Sequence, residues 1–525
     1  TGKYLGNLQK IDFNNSIDTS KVTTMDSMFQ GGQMSTLDLS DFDTSKVTKM
    51  GYMFRDCTTP EIKSFNKFNT SNVTNMSNMF DGCGAVSLDL SSFDTSKVTR
   101  MDYMFDRSAA TEVKGLENFS TNNLTDMSNM FSFSKIKQLN LKNFNTTKVT
   151  NMSGAFWGVQ VPTLDLSNFD TSNVSNMSSM FSSSPATTLD VSNFDTSKVT
   201  NMSSMFSSSK ATTLDLSNFD TSNVTEMWRM FDGAQATKIV LSSFNTSNVT
   251  NMYQMFSKSH VNNLDLSNFN TSKVTDMNRM FWSTYATTID VSSFDTSKVT
   301  DMNSMFYGGD NLKTIYASSK FVTTAVSDSE VMFEGSTSLV GGAGTKYNKS
   351  YLDKTYARID GGTSNPGYFT DVVDKPSAFS TDSWSTIISS VKANNKRGYK
   401  VGDTKEIDLG TYGTHTLRIA NTSTPSECST TGFSQSACGF VLEFADIITT
   451  HNMNPAGEYN GTQYDYGYNV GGWPNSSMRT FVNNDIYNSL PSDLKNGIID
   501  TTVVSSYGKS DTSNFTSTDK LYLLA

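Results

Sequence analysis

A phrase of the form L-D-L-S-N-F-D-T-S-K-V-T-N-M-S-S-M-F returns every 25 or 26 residues through the first 310 positions. Its last Phe falls at Phe29, Phe54, Phe80, Phe105, Phe131, Phe156, Phe181, Phe206, Phe231, Phe256, Phe281 and Phe306. A unit this short cannot bury its own apolar face. A fixed period of this size therefore makes neighbouring copies stack into a solenoid. The expected product is an extended surface, and extended repeat surfaces usually serve binding.

Residues 189 to 206 illustrate one unit. Leu189 and Val191 flank Asp190, the alternation of a short half-buried strand. Phe194 follows, so the unit reads L-x-L-x-x-F, close to the leucine-rich-repeat core with Phe at its polar position. Asp195-Thr196-Ser197 is turn chemistry. Val199, Met202, Met205 and Phe206 then fall at the spacing of one helix face, with Thr200 as a cap. The expected rung is strand, turn, short helix, giving an α/β solenoid. Of the 27 methionines, 23 occupy the two Met positions of this phrase. A methionine column could suggest metal or redox chemistry; inward-facing core filler is the simpler reading.

V-x-x-M-x-x-M-F recurs twelve times, with Leu124 in place of Val and Ala155 in place of Met as the main lapses. In this the chain resembles the BspA-type leucine-rich repeats of bacterial surface proteins, in the M-F-ending form of Gram-positive and mycoplasma lipoproteins. The resemblance covers residues 8–370. Residues 332–370 resemble that family's end-cap. More loosely, W-P-N-S-S-M-R-T-F-V-N-N-D-I-Y (473–487) and T-D-K-L-Y-L-L (518–524) resemble a domain of unknown function in similar surface proteins. The resemblance implies an exported, bacterial, cell-surface adhesion or interaction protein and names no ligand.

The organisation expected is a leucine-rich-repeat-like solenoid over 1–370 with a cap at 307–370. A linker over 371–395 and a small α+β domain over 396–525 follow, the latter with short strands and a helix from Ser477 to Tyr487. The formal net charge of −10 argues against a nucleic-acid partner. No apolar run reaches the ~18 residues that span a bilayer. The start at Thr1 and the apolar end at Ala525 read as a piece of a longer precursor. Four cysteines form no zinc spacing. Cys428 and Cys438 bracket a step suited to a local disulfide and an oxidising compartment. Cys57 and Cys83 hold one position in consecutive rungs and either pair or stack as small buried groups.

Any position fixed in the repeat becomes a column along the rungs, at the roughly 4.8 Å spacing of strands. Asp165, Asp190 and Asp215 stack like charges, which repel. Solvation, Ca²⁺ or a basic ligand would relieve them. A Thr column, from Thr19 to Thr296, reads as turn chemistry, with ice binding as a poor match. Departures from the phrase point to partners. Trp228 and Tyr253 share one column, Trp282 and Tyr307 another, and Arg229, Arg279 and Tyr285 lie in the same stretch. These are the residue types that dominate binding hot spots, although bulky neighbours packing between rungs would look the same.

The three histidines, His260, His415 and His451, belong to no catalytic motif. Apart from Ca²⁺ as one option for the Asp column, no cofactor or metal site is expected, and the chain is read as non-enzymatic. The function expected is adhesion to a protein or glycan on a host or neighbouring cell. The alternative is a structural spacer or surface-layer component that self-associates through lateral solenoid contacts.

Overall fold

Strand pairing between rungs begins where Leu and Ile alternate with polar residues. The computed structural model describes residues 17–372, 378–392, 398–430, 433, 434, 436, 438–451, 473–506 and 514–522. The chain divides into two units, residues 1–372 and 373–525.

In the first unit the L-x-L positions form β1 (Leu37–Asp38), β2 (Ile62–Lys63), β3 (Ser87–Asp89), β4 (Glu112–Lys114), β5 (Thr213–Asp215), β6 (Lys238–Val240), β7 (Thr288–Asp290) and β8 (Thr314–Ala317). They pair in parallel and in the same register as β1 with β2, β3 with β4, β5 with β6 and β7 with β8, for instance Leu88 with Val113 and Leu214 with Ile239. A second ladder of single parallel bridges runs from Thr24 through Lys49, Asn75 and every following rung to Asp328. The array is a β-solenoid with little helix.

The V-x-x-M-x-x-M-F segment corrects the expected helix. It is a run of tight turns. The N–H groups of Met205, Ser207 and Ser209 bond back three residues, to Met202, Ser204 and Phe206. Those of Met202, Ser204, Phe206 and Ser208 reach the carbonyls of Glu226, Trp228, Met230 and Asp232 on the next rung. A helix would spend these donors internally. Ser204 (φ 56°) and Ser208 (φ 57°) are left-handed, which a right-handed helix cannot contain. Ser- and Asn-rich sequence also favours turns over helix. The leucine-rich-repeat plan of strand plus helix is thus replaced by strand plus turns.

The core keeps the residues read from sequence. Val199, Met202, Met205 and Phe206 are fully buried. The terminal Phe of each phrase stacks on the next, from Phe29 to Phe333. Centroids lie 5.4 to 6.0 Å apart and rings are inclined by 3° to 17°. Burying each ring contributes about 1.5–3 kcal/mol. The Thr column is also inside. Thr146 Oγ1 donates to the Asp170 carbonyl (2.8 Å) and accepts the Asp170 N–H (2.8 Å), and Thr121 and Thr246 do the same one rung onward. Ice has no access to these hydroxyls.

The solenoid is closed by β9 (Phe369–Asp371), which adds in parallel to β8. Tyr368 and Phe369 cover Phe333 and Phe306. Asp360 fastens this end. Its carboxylate accepts the N–H groups of Ala343, Thr345, Gly362 and Gly367 and the Thr345 hydroxyl. A Cβ on Gly341 would lie 2.2 Å from the Gly367 carbonyl oxygen, so only glycine fits there.

The second unit starts with α1 (Trp384–Lys392), inside the segment read as linker. Trp384 and Ile387 are buried with Ile407, Leu417, Leu490 and Leu494. An antiparallel sheet of β10 (Thr404–Asp408), β11 (Thr414–Asn421) and β12 (Val441–Phe444) packs there. A helical stretch follows: α2 (Ser477–Phe481), one π turn over Val482–Ile486, then α3 (Tyr487–Ser489). Ser476 caps it by accepting the Arg479 N–H. α4 (Ser492–Lys495) leads to the hairpin of β13 (Thr501–Ser506) and β14 (Asn514–Asp519).

Candidate functional site

Each turn run carries two left-handed residues four apart, and these set which side chains project. Along the array the first column includes Tyr52, Tyr103, Arg229, Gln254 and Arg279. The second includes Arg107, Phe133, Lys258 and Ser283. Departures from the repeat therefore gather on one face, mounted on a backbone held rung to rung.

Lys258 Nζ lies 4.4 Å from the centroid of Trp282. The Trp282 and Tyr307 rings are 6.3 Å apart and tilted by 37°. His260 and Tyr285 rings are 4.2 Å apart, and Tyr285 is 47% exposed. Lys258, Trp282 and Tyr307 thus form a series over three consecutive rungs, and His260 and Tyr285 form a separate pair on the first two of them. Trp228 and Tyr253 are half-buried nearer the N-terminus, and the Tyr253 N–H donates to Asn251 Oδ1 (2.8 Å). Arg229 is turned onto Asp232, with Nη2 to Oδ2 at 2.7 Å. Arg279, half-buried, has no carboxylate within ion-pair distance among the described residues.

Sequence reading missed two features of this face. Phe133, 46% exposed, packs 4.9 Å from Trp157. The signal was available, since Phe133 stands where other rungs carry Ser183 and Ser208. The second is an ion-pair ladder over three rungs. Buried Asp81 takes Arg55 (3.0 Å) and Arg107 (2.6 Å), and Arg107 also holds Asp106. Burial pushes the Asp81 carboxyl up despite these partners.

Asp165, Asp190 and Asp215 are exposed, and each Oδ1 accepts the N–H of the Ser two residues on, at 3.0 to 3.1 Å. Hydrogen bonds from Ser167, Ser192 and Ser217 hold all three carboxyls below the ordinary range. The repulsion expected between them is met by local donors. Among the described residues no group of three or more His, Cys, Asp or Glu is placed to hold a metal ion, which gives no support to Ca²⁺ on this column.

Cys428 and Cys438 form a disulfide with Cα atoms 6.0 Å apart. Cys57 and Cys83 are free and buried. They occupy the column held by buried Ser108, Ser184 and Ser209 in other rungs, so a small side chain is what this position needs. Burial raises the Cys83 thiol to about 12, which makes it a poor nucleophile.

In the second unit the motif 473–487 meets the described residues 518–522 of the other motif, whose last two residues lie outside the described ones. The buried Asp519 carboxylate accepts Trp473 Nε1 (2.8 Å), Arg479 Nε (2.6 Å) and Ser517 Oγ (2.6 Å). Asn483 Oδ1 accepts the N–H groups of Lys520 and Leu521. All these groups satisfy one another, which makes this a structural lock. His415 lies between the Tyr412 carbonyl (Nε2, 2.8 Å) and Asp446 (Nδ1, 2.8 Å). No helix among the described residues is long and apolar enough to cross a membrane.

The family described as "Mycoplasma protein of unknown function, DUF285" matches in five overlapping stretches: residues 7–63, 58–160, 125–242, 209–319 and 233–346. No curated protein and no solved structure matches the chain. The matched stretches coincide with the turn-and-strand rungs, so the repeat array itself carries the kinship, and the chain belongs to the DUF285 family of Mycoplasma proteins of unknown function.

Proposed function

We propose that the chain is a non-enzymatic, extracellular adhesion or interaction protein, whose array offers its turn face to a protein or glycan on a host or neighbouring cell. One observation carries the reading. The apolar positions constant from rung to rung are buried, while Trp228, Arg229, Tyr253, Lys258, Arg279, Trp282, Tyr285 and Tyr307 all stand exposed or half-exposed on one face. Variation on a rigid frame is what a recognition surface needs, because a fixed backbone lowers the ordering cost of binding. The disulfide is in keeping with an oxidising compartment. Kinship with BspA-type leucine-rich repeats is part of the same proposal and rests on the V-x-x-M-x-x-M-F phrase.

The test is binding of the full chain to host cells, a glycan array and a cell-surface protein array. Tyr285→Ala combined with Trp282→Ala is expected to weaken binding at least tenfold, the scale of a hot-spot loss. Undiminished binding by that variant would remove this face from the account. A second reading, a stiff spacer assembling laterally, is favoured by the packing of Lys258, Trp282 and Tyr307 along the rungs. Concentration-dependent assembly in light scattering, without cell binding, would select it.

A further inference from the structure

An open apolar groove of about 720 Å³ runs through the second unit, within the roughly 300–1,000 Å³ range of small-ligand sites. Trp384 and Ile388 of α1, Leu442 and Phe444 of β12, and Met478 and Phe481 of α2 line it. At its margin Ile447 is 82% exposed and Ile499 74% exposed. Two large aliphatic side chains left in water beside an apolar trough mark a surface that gains by being covered.

The charges along the groove decide what covers it. Glu443 is held by Arg418 Nε at 2.8 Å. Asp446 is held by His415 Nδ1 at 2.8 Å and the Thr416 N–H at 3.2 Å. Lys520 faces Asp500 at 3.2 Å. Both lining acids are therefore matched by cations or donors, and one lining lysine is matched by a carboxylate. Lys392, the last residue of α1, has no carboxylate within ion-pair distance among the described residues. Among the described residues, the groove is an apolar trough with one uncompensated positive charge, that of Lys392.

We propose that this groove binds a long-chain carboxylate, its hydrocarbon along the trough and its head at Lys392. The complementarity is specific. A cationic amphiphile meets the wrong sign at Lys392, and a short carboxylate leaves Ile447 and Ile499 exposed. The site is independent of the adhesive face of the array and stands whether or not that face binds cells.

The experiment titrates the full chain, below micellar concentrations, with octanoate, decanoate, dodecanoate and palmitate, and with hexadecanol and dodecyltrimethylammonium. Tryptophan fluorescence and calorimetry give the readout. Saturable binding of one carboxylate per chain is expected, tightening about tenfold per two methylenes in the shorter members. Lys392→Gln should weaken palmitate about threefold, the size of an exposed ion pair, and leave hexadecanol unchanged. Ile447→Ser with Ile499→Ser alters only exposed positions, so the fold is retained, and it should weaken palmitate and hexadecanol alike. Absence of saturable palmitate binding overturns the proposal. So does affinity independent of chain length, equal binding of the cationic amphiphile, or palmitate binding untouched by the double Ser variant.

Discussion

Thr146 shows how a single hydroxyl joins two rungs. It accepts one backbone N–H and donates to one carbonyl of the same residue, Asp170, inside the protein. Thr146→Val keeps the shape and leaves both Asp170 groups unpaired. Each buried unsatisfied group costs about 1–3 kcal/mol, so a loss of at least ~2 kcal/mol is expected in urea unfolding, while Thr146→Ser should lose much less. Equal stability of the Val variant would show that these bonds contribute nothing. The left-handed columns give a second residue-scale test. Gly154 (φ +61°) faces Asn129, whose Oδ1 would sit 2.2 Å from an added Cβ. Gly154→Ala is expected to destabilise by more than ~1 kcal/mol, the left-handed cost alone. Ser204→Gly, relieving the same strain at φ 56°, should be neutral or stabilising. The sequence displayed the Thr column but not its side, because nothing local says that the D-T-S turn folds its Thr inward between backbones.

The rung is the element that repeats, and its inward face was legible although its conformation was not. Spacing at i, i+3, i+6 and i+7 predicts one buried face for a helix and equally for successive tight turns. Val199, Met202, Met205 and Phe206 are accordingly buried as read. What spacing cannot report is where N–H groups go, and here half of them leave the rung. That makes each rung depend on the next. Phe206→Ala removes one ring from a stack whose neighbours lie 5.8 and 5.9 Å away and should cost about 3–5 kcal/mol. Hydrogen exchange would locate the loss. The amides of Phe181 and Phe206, bonded to Met205 and Met230, should exchange faster, and the distant amide of Met50 should not. At the candidate site the same column logic correctly made Trp282 and Tyr307 neighbours, but it passed over Phe133 and Trp157. The Ser477–Tyr487 helix was legible from pattern. Its tie to Asp519 was not, since their contact spans some forty residues without a local signal.

Across the whole chain, repetition multiplies small local terms, and acid response is where this should be visible. Asp18, Asp38, Asp43, Asp89, Asp94, Asp165, Asp170, Asp190, Asp195, Asp215 and Asp295 all have carboxyls lowered, chiefly by side-chain hydrogen bonds from neighbouring serines. A carboxyl whose folded pKa lies below its unfolded value stabilises the fold above the unfolded value, about 3.9, and loses that contribution as pH falls through the folded one. Asp81 and Asp276, raised by burial, act in the opposite sense but are far fewer. His415 belongs to the other unit and another window. The Tyr412 carbonyl and then Asp446 raise it above 6.5, so its contribution is present below that value and fades as pH rises through the folded pKa. The melting temperature of the array should therefore stay level from pH 7 to about 5 and fall steeply below about 4. Asp165→Asn, Asp190→Asn and Asp215→Asn together keep an acceptor for each serine and remove three titrating groups, so the acid limb should become shallower. A melting temperature constant down to pH 2.5, or an unchanged slope in the triple variant, would mean that these serine-held carboxylates do not set the acid stability of the array.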